Sequence, residues 1–333
     1  LSRRKRVRTV DGTIEVNRGR SFRRLASAAD TTGLESRVLN AEQSNTSILY
    51  GDNLFLKLFR KLEHGTNPDV ELTRHLGEKR QFTHVPAYAG SLTYTDRTDE
   101  RATIGLLTDF VPNQGDAWTY TRDSIDRFFE SILVEERIPN NLDKIPDSLL
   151  KVDPETIPDE YLERIDGFFL EMIELLGTRT GELHLALAAD RRDPAFTPEP
   201  FSKLYQRSLY QSLRSLTKRV VGNLRKARRG LDDESQASID DFLSREQQIL
   251  ERFQRITTSR IEAKKIRIHG DYHLGQVLFT GRDFAIIDLE GEPARTMSER
   301  RLKFSAFRDV AGMLRSFHYA IYSRYLETTA IRP

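Results

Sequence analysis

The sequence contains no cysteine. That absence excludes disulfide frameworks, thiolate metal sites and a cysteine nucleophile. A dominant charge is missing too: 52 Lys+Arg against 50 Asp+Glu leave a net charge of +2. So small an excess does not argue for nucleic acid as a partner. No apolar run approaches the roughly 18 residues of a membrane span, so no membrane partner is expected. The chain opens Leu1-Ser2-Arg3-Arg4-Lys5-Arg6 with no apolar stretch behind these charges, so no signal peptide is expected there and the protein is read as cytoplasmic. A first residue other than Met points to a fragment or to part of a longer fusion. What is present is 333 residues with clustered, periodic apolar positions. A chain of this length buries roughly three quarters of its unfolded surface without a staple and forms about two domains or one bilobed unit.

The organisation reads in three parts. Residues 1–30 are basic and irregular, a solvated segment or linker. Residues 31–112 carry short strands over Val38–Ala41, Thr46–Tyr50 and Leu54–Phe59, and two more around 87–94 and 103–111. A helix begins at Asn67-Pro68-Asp69, and together these make a small antiparallel sheet with one inserted helix. Residues 113–333 are mostly helical, with helices expected over 121–136, 159–189, 201–229, 232–263 and 303–327, and a proline-containing loop over 139–158. The 159–189 helix is expected to break near Gly177 or Gly181, and Asp232 or Asp233 to cap the 232–263 helix.

Among these helices sits a short β-hairpin with acidic residues at both ends. Ile266-Arg267-Ile268 runs into His269-Gly270-Asp271, Gln276 follows Asp271 by five positions, and Asp288 closes the hairpin twelve positions later. The hairpin brings Gln276 and Asp288 together, and the loop sets Asp271 beside them. That provides one carboxylate for a substrate and two oxygen ligands for a hard cation. Mg²⁺ prefers oxygen ligands and needs few from the protein when phosphates supply others. Phosphoryl transfer asks for little beyond positioning, charge neutralisation and a residue to take the hydroxyl proton.

Protein kinases share this layout of base, amide and metal-binding aspartate. The string His269-Gly270-Asp271-Tyr272-His273-Leu274-Gly275-Gln276 resembles the His-Gly-Asp-x-His-x-x-Asn motif of aminoglycoside phosphotransferase-like kinases, with Gln in place of Asn. HGDYHLGQVLF, with IIDLEGEPART and RDVAGMLRSFHYA after it, is similar to bacterial maltokinases, which occur alone or fused to trehalose synthase. The resemblance implies an α+β, bilobed protein-kinase-like fold: a sheet lobe that binds ATP, and a larger helical lobe. It implies Mg²⁺ as cofactor, maltose as substrate and maltose 1-phosphate as product for α-glucan synthesis, with a trehalose synthase as fused or associated partner. It also implies roles for residues: Asp271 as base, Gln276 and Asp288 on the metal, and Lys57 on the ATP phosphates with Glu71, or else Glu78, as its carboxylate. Ser44, Asn45, Thr46 and Ser47 fall in the phosphate loop, the backbone around Asp109 and Val111 meets adenine, and His273 and Glu290 lie near the sugar. Maltokinases continue past the FHYA helix, so a truncated C-terminus is expected. The alternatives are a related small-molecule kinase (a glucosamine kinase or an aminoglycoside phosphotransferase) and a non-catalytic ATP-binding regulatory domain.

Overall fold

The computed structural model describes residues 6–28, 35–39, 45–135, 157 and 159–331. Seven antiparallel strands form one sheet: β1 (Arg6–Arg8), β2 (Gly12–Arg18), β3 (Ser36–Leu39), β4 (Asn45–Tyr50), β5 (Leu54–Phe59), β6 (Tyr88–Asp96) and β7 (Arg101–Asp109), in the order β1-β2-β6-β7-β5-β4-β3. Residues 6–28 therefore differ from the irregular segment expected there. β2 pairs with β6 from Gly12↔Asp96 to Arg18↔Gly90. Helix α1 (Phe22–Ala28) buries Phe22 and Leu25 against Leu54, Leu56, Ala89 and Leu107. The physical reason is that Ile14 and Val16 alternate with polar residues at the strand period, a signal masked by the surrounding arginines.

β5 is apolar on both faces except for Lys57, which is buried. Its register sets Lys57 opposite Ser47 on β4 and Leu106 on β7. After β5, the Asn67 side chain accepts from the Asp69 N–H at 2.8 Å and caps α2 (Pro68–Arg74), with Pro68 in the first turn where its missing N–H costs nothing. The helix runs on as a π-helical turn over His75–Arg80 and stops at Gln81, whose φ is 55°. α2 and its π-helical turn bury Leu72 and Leu76 in the core of the other lobe, so this helix joins the two.

The second lobe comprises α3 (Ala117–Glu135), α4 (Asp159–Leu162), α5 (Gly167–Ala188), β8 (Glu199–Pro200), α6 (Lys203–Ala227), α7 (Asp233–Ser244), α8 (Glu246–Gln254), β9 (Lys264–Lys265), β10 (Val277–Phe279), β11 (Phe284–Ile286), α9 (Met297–Arg300) and α10 (Phe307–Ile331). The loop expected over 139–158 lies outside the described residues except for Ile157. α5 runs unbroken through Gly177 and Gly181. A glycine in a helix costs only about 1 kcal/mol, and α5 offsets it by burying Met172, Leu176, Leu183 and Leu187. The helix expected over 232–263 divides at Arg245 into α7 and α8, and Asp232 caps α7 by accepting from the Ser235 N–H at 2.9 Å. The β10–β11 hairpin is buried, with Val277↔Ile286 and Phe279↔Phe284 in register. Gln114 N–H donates to Phe279 O and Phe279 N–H to Gly115 O, which tie the hairpin to the chain leaving β7.

Candidate active site

Asp271 sits on a loop whose shape is fixed by one buried carboxylate. Asp309, at the start of α10, accepts from the His269 N–H and the Gly270 N–H at 2.9 Å each, and its Oδ2 lies 2.9 Å from His184 Nε2 on α5. His184 is thus a satisfied core histidine. His269 Nε2 is 2.9 Å from Ile287 O, so that nitrogen carries the proton and Nδ1 is left to face the Asp271 N–H at 3.4 Å. Gly270 has φ of 88°, and a Cβ there would meet the Gly291 Cα at 3.3 Å, so the turn requires glycine. His273 Nδ1 accepts from the Gly275 N–H at 3.1 Å and closes the following turn.

Burial alone would raise the Asp309 carboxyl, but the His184 hydrogen bond, the nearby His269 ring and the Gly270 N–H outweigh it and hold the group below its ordinary value. A folded-state value below the unfolded one stabilises the protein above an unfolded-state pKa of about 3.9, and that stability is lost as pH falls through the folded value. Asp309→Ala is expected to leave His184 and two loop N–H groups unpaired and to cost about 2–3 kcal/mol. Urea unfolding at neutral pH measures this; a midpoint equal to that of the parent chain would contradict it.

Across the cleft, Lys57 Nζ meets three carboxylates: Asp69 at 3.1 Å, Glu290 at 3.0 Å, and Asp288. Burial works against the ammonium, yet the three carboxylates outweigh it and hold Lys57 charged, well above its usual value. For Asp288, burial opposes ionisation, but Lys57 lowers the carboxyl; for Glu290, burial dominates and raises it, with Asp69 and Asp288 adding to the effect. Asp288 also accepts from Gln276 Nε2 at 3.0 Å, so the hairpin does bring these two residues together. Asp288 has φ of 60°, a strained value that aspartate tolerates better than most residues and that clusters at functional sites.

The carboxylate facing Lys57 from α2 is Asp69, which corrects the expectation of Glu71 or Glu78. Two residues on, Glu71 is turned about 200° round the helix and pairs instead with Arg267 at 2.9 Å and Arg301 at 2.7 Å. Glu78 accepts the Arg20 N–H at 2.7 Å. In sequence, Asp69 reads only as part of a helix start. Its helical phase relative to the sheet, which sequence does not carry, decides its role.

Oxygens of Asp69, Asp288 and Glu290 lie within 4.8 Å of one another. Three carboxylates against Lys57 and Arg300, the latter 3.6 Å from Glu290, still leave excess negative charge, and the hard oxygen donor set, with the Gln276 amide beside it, fits a Mg²⁺-type cation. A second cluster, His75, Asp190 and Asp193, has Arg80 on Asp190 at 2.7 Å and Lys79 on Asp193 at 2.9 Å, so its carboxylates are already neutralised.

A cavity of about 360 Å³ lies between the sheet and the hairpin. Leu39, Phe55, Leu106 and Leu278 give it apolar walls, and Lys57 and Asp288 lie on its lining. This suits a flat heterocycle carrying a charged tail. The buried Ser47 hydroxyl lines it with no hydrogen-bond partner among the described residues, a donor available to an anionic oxygen. Asn45 Nδ2 donates to Glu290 Oε1 at 3.0 Å, and Thr46, half-buried, follows it on β4. Ser44 lies outside the described residues. Asp109 and Val111 both line the cavity. The Asp109 N–H donates to Ala87 O and the Phe110 N–H to Asn53 O, so the Val111 N–H is the donor left in this segment.

A second cleft, of about 640 Å³, opens beside Asp271 and is lined by His273, Asp116, Trp118, Glu292, Arg315 and Tyr319. Glu290 is not among its lining residues; it belongs to the Lys57 cluster. Trp118 reads in sequence as core, and it does pack on the core while also lining this cleft. The contributions of Asp116, Arg315 and Tyr319 carried no local signal, because they come from α10 and the residue before α3. Burial raises the Asp271 carboxyl above its ordinary value, with Glu292 adding to the shift and His273 opposing it.

No protein-family model matches the chain. It is 23% identical over 299 residues to a glucosamine kinase of Mycolicibacterium smegmatis, covering 89% of this chain and 62% of that protein. It is 22% identical over 296 residues to a glucosamine kinase of Streptacidiphilus jiangxiensis, covering 88% and 56%. The chain thus spans about three fifths of the length of these curated relatives. A solved glucosamine kinase superposes with a TM-score of 0.62 at 19% identity, over 96% of this chain and 63% of that one. Another, in complex with glucosamine, ADP and inorganic phosphate, gives 0.61 at 18% identity, over 94% and 72%. The fold is accordingly the bilobed, kinase-like α+β architecture.

Proposed function

We propose that this protein transfers the terminal phosphoryl group of Mg·ATP to a hydroxyl of a sugar, with an amino sugar as the preferred acceptor. The observation that carries the reading is the position of Asp271. It lines the acceptor-sized cleft, while Lys57, Ser47 and Asp288 line the separate apolar cavity. Bound Mg·ATP supplies the phosphoryl group and the divalent charge that neutralises it.

The chain's own residues do the rest. Asp271 accepts the proton of the acceptor hydroxyl, and its raised carboxyl makes it a better base than an ordinary aspartate. Lys57 donates to phosphate oxygens, held in place by Asp69. Asp288 and Gln276 hold the cation: Gln276 gives its amide N–H to Asp288, which leaves its carbonyl oxygen free for coordination. Glu290 is a further carboxylate oxygen on the same side.

The amino-sugar preference is supported by the two curated relatives and by the acceptor cleft's lining, where the carboxylates of Asp116, Asp271 and Glu292 exceed the guanidiniums of Arg308 and Arg315 by one charge, which favours an ammonium-bearing ligand. The second reading is maltose, favoured by the HGDYHLGQVLF and IIDLEGEPART strings. Initial rates of ADP formation with glucosamine, glucose, maltose, trehalose and kanamycin test both. The highest kcat/KM is expected for glucosamine. Maltose in first place would replace the preferred acceptor, and no acceptor-dependent rate with any of them would overturn the kinase reading.

A further inference from the structure

A third cavity, of about 640 Å³, shares no lining residue with the nucleotide cavity or the acceptor cleft. It lies where β9, the start of α6 and the segment from α9 to Phe304 come together. Four cations line it: Lys265, Arg267, Arg301 and Lys303. Among the described residues, two carboxylates pair with them, while Asp193, which also acts on Arg267, is itself bound to Lys79. Glu199 takes Lys265 at 3.0 Å and Lys303 at 2.8 Å, and Glu71 takes Arg267 and Arg301. The four cations exceed the two carboxylates by two positive charges.

Arg267 is the most telling of the four. It is only 1% exposed, and among the described residues its Nε and Nη2, themselves closed to solvent, have no hydrogen-bond partner. The guanidinium carbon lies over the Phe196 ring, 5.4 Å from its centroid, a cation–π contact. A buried guanidinium with idle donors is costly, and an anion placed nearby offsets that cost through charge rather than through direct contact. Burial pushes the Arg267 guanidinium down from its ordinary value, with Glu71 opposing, so a further anion is favoured at this point. Tyr205, whose ring lies 4.4 Å from Lys265 Nζ, adds an aromatic wall against which an organic group can rest.

We propose that this cavity is a binding site for a phosphate-type dianion, either orthophosphate or a phosphate monoester of a small polar molecule, held by Arg301, Lys265 and Lys303, with the buried Arg267 adding positive charge behind them. The test is titration calorimetry on the full chain, with Mg²⁺ and a non-hydrolysable ATP analogue present to occupy the catalytic cleft. Inorganic phosphate and glucose 6-phosphate are the probes, and glucose is the control. One-site saturation by at least one of the two phosphates is expected, with affinity reduced roughly tenfold or more in Arg301→Gln and in Lys303→Gln, since each removes a charge-assisted hydrogen bond. Equal binding of the two probes identifies the free anion as sufficient. Tighter binding of glucose 6-phosphate identifies the ester. The proposal is overturned if neither phosphate saturates by about 10 mM, a concentration above which binding is too weak to matter. It is equally overturned if both variants bind as the parent does. Should Lys303→Gln fail to fold, Arg301→Gln decides, because its side chain is exposed.

Discussion

Asp271→Asn is expected to lower kcat for acceptor-dependent ADP formation by about 10²- to 10⁴-fold, the range general base catalysis supplies, with Mg·ATP affinity kept. The substitution is nearly isosteric and removes the ability to take a proton. The loop should keep its shape, because Asp309, not Asp271, holds the His269 and Gly270 N–H groups. Lys57 should keep its partners, because Asp271 is not one of the three carboxylates it meets. Nucleotide affinity and kcat are therefore separable in this variant. Steady-state rates together with a nucleotide titration measure both, and an unchanged kcat would remove Asp271 as the base.

Asp288→Asn is expected to lower kcat/KM for Mg·ATP by at least about 10²-fold, since a metal-held phosphate is worth several kcal/mol of charge stabilisation. The dependence on Mg²⁺ should move to higher concentration. Asparagine tolerates the positive φ of this position, so the backbone is preserved and the loss is one of charge. The same carboxylate also holds Lys57 and the Gln276 amide, so the variant loosens three groups at once. A Mg²⁺ titration of initial rates reads the effect. A dependence identical to the parent's would take Asp288 out of the metal site.

The sequence made some of this arrangement legible and hid the rest for physical reasons. The nearness of Gln276 and Asp288 follows from two short apolar strands with a glycine turn between them, which is local chemistry. Lys57 stands out because a cation inside an apolar strand needs an anion. Which anion is not local: Asp69 and Glu71 differ by two positions on α2, and only the helix's orientation against the sheet selects between them. β2 was hidden by the arginines around Ile14 and Val16. Arg267 was equally hidden, since a lone arginine between two isoleucines reads as an outward-facing strand position. Its burial arises from Glu71 and Phe196, distant in sequence. The walls of the acceptor cleft were missed for the same reason, with α10 supplying Arg315 and Tyr319 far along the chain from Asp271.

The measurement that tests the central claim most directly is the fate of the label from γ-³²P-ATP incubated with the protein, Mg²⁺ and glucosamine. The account predicts label on the sugar, absent when EDTA replaces Mg²⁺ and nearly absent in Asp271→Asn. Label released as inorganic phosphate at a rate indifferent to the sugar, or label on the sugar at an undiminished rate in Asp271→Asn, would contradict it.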